Sequence, residues 1–120
     1  MRNSGAVLRK VGVLDPQVFG GRVAEFLRGE HPVKTALCVE AETGISAKTV
    51  AKWLEGASSP SGAAYHRLIK AYGPELFVFV SPEASPEILK EAARLSRQDR
   101  LERQAATIRQ QLSDVLGGRR

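Results

Sequence analysis

The chain has 120 residues, with 18 Lys plus Arg, 13 Asp plus Glu and 42% hydrophobic content, which suits one small domain with its own core and is too short for a large enzyme. Its single cysteine, Cys38, excludes an internal disulfide framework, and with only His31 and His66 besides, no zinc-ligand spacing can be assembled. The formal net charge of +5 favours a polyanionic partner, and the excess is spread as ten Lys/Arg against seven Asp/Glu over residues 1 to 80 and eight against six over 81 to 120.

No apolar run is long enough to span a bilayer, and the first ten residues lack the apolar centre and cleavage site of a secretory signal. The expectation is a soluble, intracellular chain with no membrane partner. Residues 1 to 14 form an arm or short strand. Apolar residues at 7, 8, 11, 13 and 14 do not alternate cleanly, so Val7 to Leu14 reads as a strand, an arm or a partner-facing segment.

Asp15 can cap a helix opened by Pro16, because proline lacks only a donor that would be unpaired there. Phe19, Val23, Phe26 and Leu27 then share one face, although the adjacent Gly20 and Gly21 weaken that helix. Pro32 is expected to open a second helix with Val33, Ala36, Leu37 and Val39 pointing inward, closed by a turn at Gly44. Ser46 is the N-cap of a third, in which Val50, Trp53 and Leu54 recur at helical spacing before Gly56. After the loop 56 to 60, Ser61 caps a fourth helix, whose Tyr65, Leu68, Ile69 and Tyr72 follow the i, i+3, i+4, i+7 rule before Gly73-Pro74 ends it.

The run Leu76 to Val80 has the composition of a strand, yet Pro74 and Glu75 look like a first helical turn. We read it as a short packed helix. From Pro86 onward Glu, Arg, Gln, Ala and Leu dominate and predict one long terminal helix, fraying at Gly117 to Arg120. The domain is thus placed at 15 to 80 and a helical extension at 81 to 120. The fold class is all-α, a compact helix-turn-helix bundle of four to five helices followed by a long C-terminal helix.

Within 34 to 72, short helix, tight turn and exposed helix follow in the order that a DNA major groove reader needs. That groove admits one helix, while a neighbouring helix grips the backbone. The run Gly44-Ile45-Ser46-Ala47-Lys48-Thr49-Val50-Ala51-Lys52-Trp53-Leu54-Glu55-Gly56, with Ser59-Pro60-Ser61 after it, resembles the lambda-repressor-like, or XRE-type, helix-turn-helix family over residues 16 to 72.

The resemblance implies that the helix opened by Ser46 is the recognition helix, with Ser46, Ala47, Lys48, Thr49 and Lys52 at base edges. It also implies that Lys34 and Thr35, and the loop hydroxyls of Ser58, Ser59 and Ser61, lie over phosphates. Lys48 and Lys52 are one turn apart and share a face. Ala36 stands where the family usually has glutamine, leaving that phosphate to Thr35 or Lys34. Glu40 stands where it has a small residue and is expected to crowd the approach of helices two and three.

Trp53 reads as core rather than a stacking platform, and Cys38 as a small packed thiol rather than a nucleophile. His31 is expected to cap or turn and His66 to sit on an outer face. Glu40/Glu42 and Glu87/Glu91 lack any catalytic partner. The chain is not read as an enzyme, and no cofactor or metal is expected.

Leu101, Ala105, Ile108, Leu112 and Val115 alternate by four and three along the terminal helix. Ile88, Ala92 and Leu95 do the same one step earlier, across a six-residue break. This seam must dock on its own domain or on a second copy, and the two half-sites that groove readers use favour a homodimer. The arginines around it read mostly as a solvated face. The reading is therefore a sequence-specific double-stranded DNA-binding transcriptional regulator of bacterial or mobile-element type, acting in the cytoplasm at the nucleoid and repressing by promoter occlusion. The alternative is an adaptor or antiactivator that keeps the fold but binds another regulatory protein through Val7 to Leu14, Leu76 to Val80 or the terminal seam.

Overall fold

The computed structural model describes residues 14–117; residues 1–13 of the expected arm 1–14 and 118–120 of the expected frayed end 117–120 lie outside them, while Leu14 packs on the core and Gly117 is helical. Six α-helices and one 3-10 turn follow in order, with no strand among the described residues: α1 Pro16–Glu30, α2 Thr35–Thr43, α3 Ala47–Leu54, α4 Gly62–Tyr72, α5 Pro74–Val80, the turn Pro82–Ala84, and α6 Glu87–Gly117. The fold is all-helical, as expected, and 76 to 80 is helical rather than extended.

Capping explains most boundaries. Asp15 Oδ1 accepts from the amides of Gln17 at 2.7 Å and Val18 at 3.4 Å, with Pro16 opening α1. Ser46 Oγ accepts from the Thr49 amide at 3.2 Å and Ser61 Oγ from the Ala64 amide at 3.1 Å. Gly44, at φ 80°, ends α2 with its amide on the Glu40 carbonyl. Gly73, at φ 71° and ψ −157°, a different positive-φ conformation that favours glycine, lets α4 pass directly into α5.

Helix α2 departs from expectation. It begins at Thr35, not Pro32, because residues 32 to 34 make a turn in which Lys34 adopts a left-handed conformation, φ 54° and ψ 48°. Val33 is thereby left outside the helix, and the step of about 100° per residue sets the rest. Ala36 and Val39 face inward as expected, whereas Val33 is 73% and Leu37 57% exposed instead of buried. Glu40 is also exposed, so it does not crowd the contact between α2 and α3, which is filled by Val39, Ile45 and Val50.

The core gathers Val23, Phe26 and Leu27 of α1, Val39 of α2, Val50 and Trp53 of α3, Leu68 and Tyr72 of α4, and Leu76 and Val80 of α5. Trp53 belongs to it, 3% exposed. His31 closes α1 through its amide on the Leu27 carbonyl and places its ring nitrogen 3.0 Å from the Tyr72 hydroxyl. Burial, followed by the nearby Glu42 carboxylate, pushes the Tyr72 phenol well above its ordinary range.

Helix α6 packs chiefly on α5, through Leu89, Ala93, Ser96 and Arg100. This face differs from the expected one: Ile88 and Leu95 are exposed. At the end of the docked stretch, Arg100 reaches two carboxylates, Glu30 of α1 and Glu75 of α5, while Arg97 lies 3.9 Å from Glu30 and Ser96 donates to Glu75 at 3.2 Å. Burial raises the Glu75 carboxyl, against the hydrogen bond from Ser96 and the charge of Arg97, and lowers the Arg100 guanidinium.

Candidate nucleic-acid interface

The first four amides of a helix have no partner within it, so a short helix after a tight turn exposes donors at its start and side chains along its outer face. In α3, the burial of Val50 and Trp53 against the core determines which side faces out. Lys48, Thr49 and Lys52 are exposed, and Ala47 is half-buried beside them. Four residues between Lys48 and Lys52 make one turn, so their ammonium groups lie on one face.

Neither lysine has an ion-pair partner among the described residues, in contrast to Arg94, Arg97, Arg100 and Arg103 of α6, each held by a carboxylate of this chain. The hydroxyls are more constrained. Ser46 caps α3 and donates to Thr49 Oγ1 at 3.0 Å, leaving the Thr49 hydroxyl hydrogen free to point outward. The C-terminus of α3 is tied down by Arg28 of α1, which donates to the Leu54 carbonyl.

The expected phosphate contacts divide into two groups. Lys34 is exposed and supplies no side-chain cap to α2, whose first turn contains no acidic residue; its opening amides are left for an acceptor outside the helix. Thr35 is half-buried and donates its hydroxyl to the His31 carbonyl. In the loop before α4, Ser58 is exposed, and Ser61 uses its oxygen as a cap but keeps its hydrogen.

Ser59 is differently placed. Its hydroxyl donates to the Pro16 carbonyl at 3.0 Å, and its Oγ lies only 2.5 Å from where a Cβ on Gly20 would stand. Its hydrogen already serves α1. Two cations were not legible as site residues. Arg67 of α4 is exposed, and one of its terminal nitrogens lies 3.9 Å from a Cβ position on Gly44, over the turn between α2 and α3. Arg28 fixes the end of α3 from below. Only the packing of α4 and α1 against that unit brings them there.

The unit also carries the exposed carboxylates Glu40, Glu42 and Glu55. Glu42 lies 3.4 Å from His31 on the side away from α3, and Glu55 follows the last residue of the helix. Arg67 thus stands over the turn and Lys48 and Lys52 along the outer face of α3, while Lys34 stands at the other end of α2. Such an arrangement can hold a polyanion and offer hydrogen bonds to acceptor-rich edges. Compared with protein-family models, curated proteins and solved structures, the chain matches none. No helix among the described residues is long and apolar enough to cross a membrane.

Proposed function

We propose that this protein is a sequence-reading, double-stranded DNA-binding transcriptional regulator that inserts α3 into the major groove and represses by occupying a promoter. The observation that carries the reading is the outer face of α3, where Lys48, Thr49 and Lys52 are exposed and the two lysines have no ion-pair partner among the described residues, directly after a glycine turn. Lysine ammonium groups on that face donate to guanine N7 and O6, and Thr49 donates to either acceptor. Lys34 with the opening amides of α2, Arg67, Ser58 and Ser61 grip phosphates on the two sides.

Selection from a random duplex pool, followed by affinity against salt for the wild type and for Lys48→Ala/Lys52→Ala, tests this. A single enriched sequence, bound more weakly by the variant and with a shallower salt slope, is the expected outcome. No enrichment, with residual binding lost near physiological salt, would leave the net charge of +5 incidental and turn attention to the adaptor reading. One observation favours that second reading: the outer face of α6 is apolar and uncovered. It requires Lys48→Ala/Lys52→Ala to remain active in a regulatory assay while Ile108→Asp is inactive.

A further inference from the structure

Gln104 is the last residue of α6 in the cleft against Glu30, Glu42 and Tyr72, and beyond it every described residue of α6 except the half-buried Ala105 is exposed. Leu101, Ile108, Leu112 and Val115 are between 48% and 63% exposed there, with Ala105 among them. At about 100° per residue, this stripe is turned roughly 100° from the docked face Leu89, Ala93, Ser96 and Arg100. A second helix can lie along it without displacing the body. Ile88 and Leu95 fall on the other side of the docked face, so they do not extend the stripe.

The charges along α6 identify the occupant. Lys90 pairs with Glu87, Arg94 with Glu91, Arg103 with Asp99, and Arg97 and Arg100 with Glu30, while Asp114 accepts from Gln110 at 2.9 Å. Glu102 and Arg109 have no such partner among the described residues. They are seven apart, so both flank the apolar stripe at the same heptad position, immediately after Leu101 and Ile108.

We infer that α6 pairs with α6 of a second copy in antiparallel orientation. In that register Leu101 faces Leu112 of the second copy and Ala105 faces its Ile108. Glu102 then meets Arg109 of the second copy, and the two-fold axis repeats the pair. The carbonyl end of each α6, the negative end of its dipole, comes beside Arg94 and Arg97 of the other. A parallel pair would instead set Arg94 against its own copy, leave Arg109 beside Gln104, and offer Glu102 only Arg97, which already lies 3.9 Å from Glu30. Leu101, Ile108 and Leu112 of each copy, six large apolar side chains with Ala105 between them and Val115 opposite Gln98 of the second copy, make a short seam, so the dimer forms at micromolar concentration and the ion pairs choose its direction.

Sedimentation equilibrium of the full chain without DNA tests the pairing independently of any DNA reading. The wild type is expected to dimerise in the micromolar range and Ile108→Asp to remain monomeric. Glu102→Arg and Arg109→Glu alone each weaken the dimer by about tenfold, and the double charge swap returns it to within about twofold of the wild type. A wild type monomeric throughout, an Ile108→Asp dimer, or a double swap as weak as the singles would overturn the proposal.

Cross-linking on a Cys38→Ser background provides a second readout at positions that tolerate change. A mixture of Ala105→Cys and Ile108→Cys chains forms a disulfide in the antiparallel dimer. Disulfide formation by Ala105→Cys alone would mark a parallel pair and overturn it equally.

Discussion

Gly20 and Gly21 are neighbours in α1 with opposite environments. A Cβ on Gly20 would stand 2.5 Å from Ser59 Oγ, whereas one on Gly21 would meet nothing within 4 Å. Gly21→Ala is therefore expected to stabilise the fold by about 0.5–1 kcal/mol, the ordinary helix-interior difference. Gly20→Ala is expected to destabilise it, because Ser59 must give up its bond to the Pro16 carbonyl to make room. Urea denaturation of the two variants checks the signs, and a shift of both in the same direction would mean that the loop before α4 yields freely. In the sequence the pair is only a weakness in a helix. What separates them is a contact across 39 residues, which no local pattern carries. The caps at Asp15, Ser46 and Ser61, by contrast, are local chemistry and were legible as such.

At the scale of elements, the core faces of α1, α3 and α4 were readable because their apolar residues repeat at the helical period; α5 was legible only as a short packed helix, and the faces of α2 and α6 were not legible, for different reasons. In α2 the left-handed Lys34 delays the first turn by three residues and leaves Val33 outside the helix, while Leu37, about 100° from Ala36 and 200° from Val39, falls on the outer side. In α6 the docked face is built on small and charged residues, Ala93, Ser96 and Arg100, which a search for apolar stripes passes over. Its anchor is Arg100 between Glu30 and Glu75, whose side chains are 9% and 6% exposed. Arg100→Ala leaves both carboxylates without their guanidinium and is expected to cost about 2–3 kcal/mol, discounted from the buried-pair range because Arg100 is itself partly solvated.

The same cluster sets a pH dependence with a definite sign. Burial raises Glu75 above its ordinary range, so the folded chain holds that proton more tightly than the unfolded chain does. The stability that Glu75 contributes in this way is fully present below the ordinary glutamate value of about 4.3, and is lost as pH rises through the raised value. Glu75→Gln is therefore expected to gain stability relative to the wild type as pH rises through that window, followed by chemical denaturation at a series of pH values. A relative loss over the same window would mean that the attraction of Arg100 outweighs burial.

Helix α6, 31 residues and about 46 Å long, continues past its docked stretch, and this overhang has a consequence that depends on both the groove-reading and the antiparallel pairing. The docked stretch Leu89 to Arg100 is centred about twelve residues before the midpoint of the paired segment, which falls between Ala106 and Thr107. At 1.5 Å per residue this is about 18 Å in each copy, so the two bodies are offset by about 36 Å along the helix pair. One turn of B-DNA separates half-site centres by about 34–36 Å. The selected duplex is accordingly expected to carry inverted half-sites about one turn apart and to be bound cooperatively by the wild type. Ile108→Asp should still recognise a single half-site, through an unchanged α3, but without cooperativity and with lower affinity for the full site. Footprinting of both proteins on the selected duplex distinguishes the failures. Half-sites two turns apart would contradict the antiparallel geometry while leaving α3 as the reader, whereas a full footprint by Ile108→Asp would show that the two copies meet elsewhere.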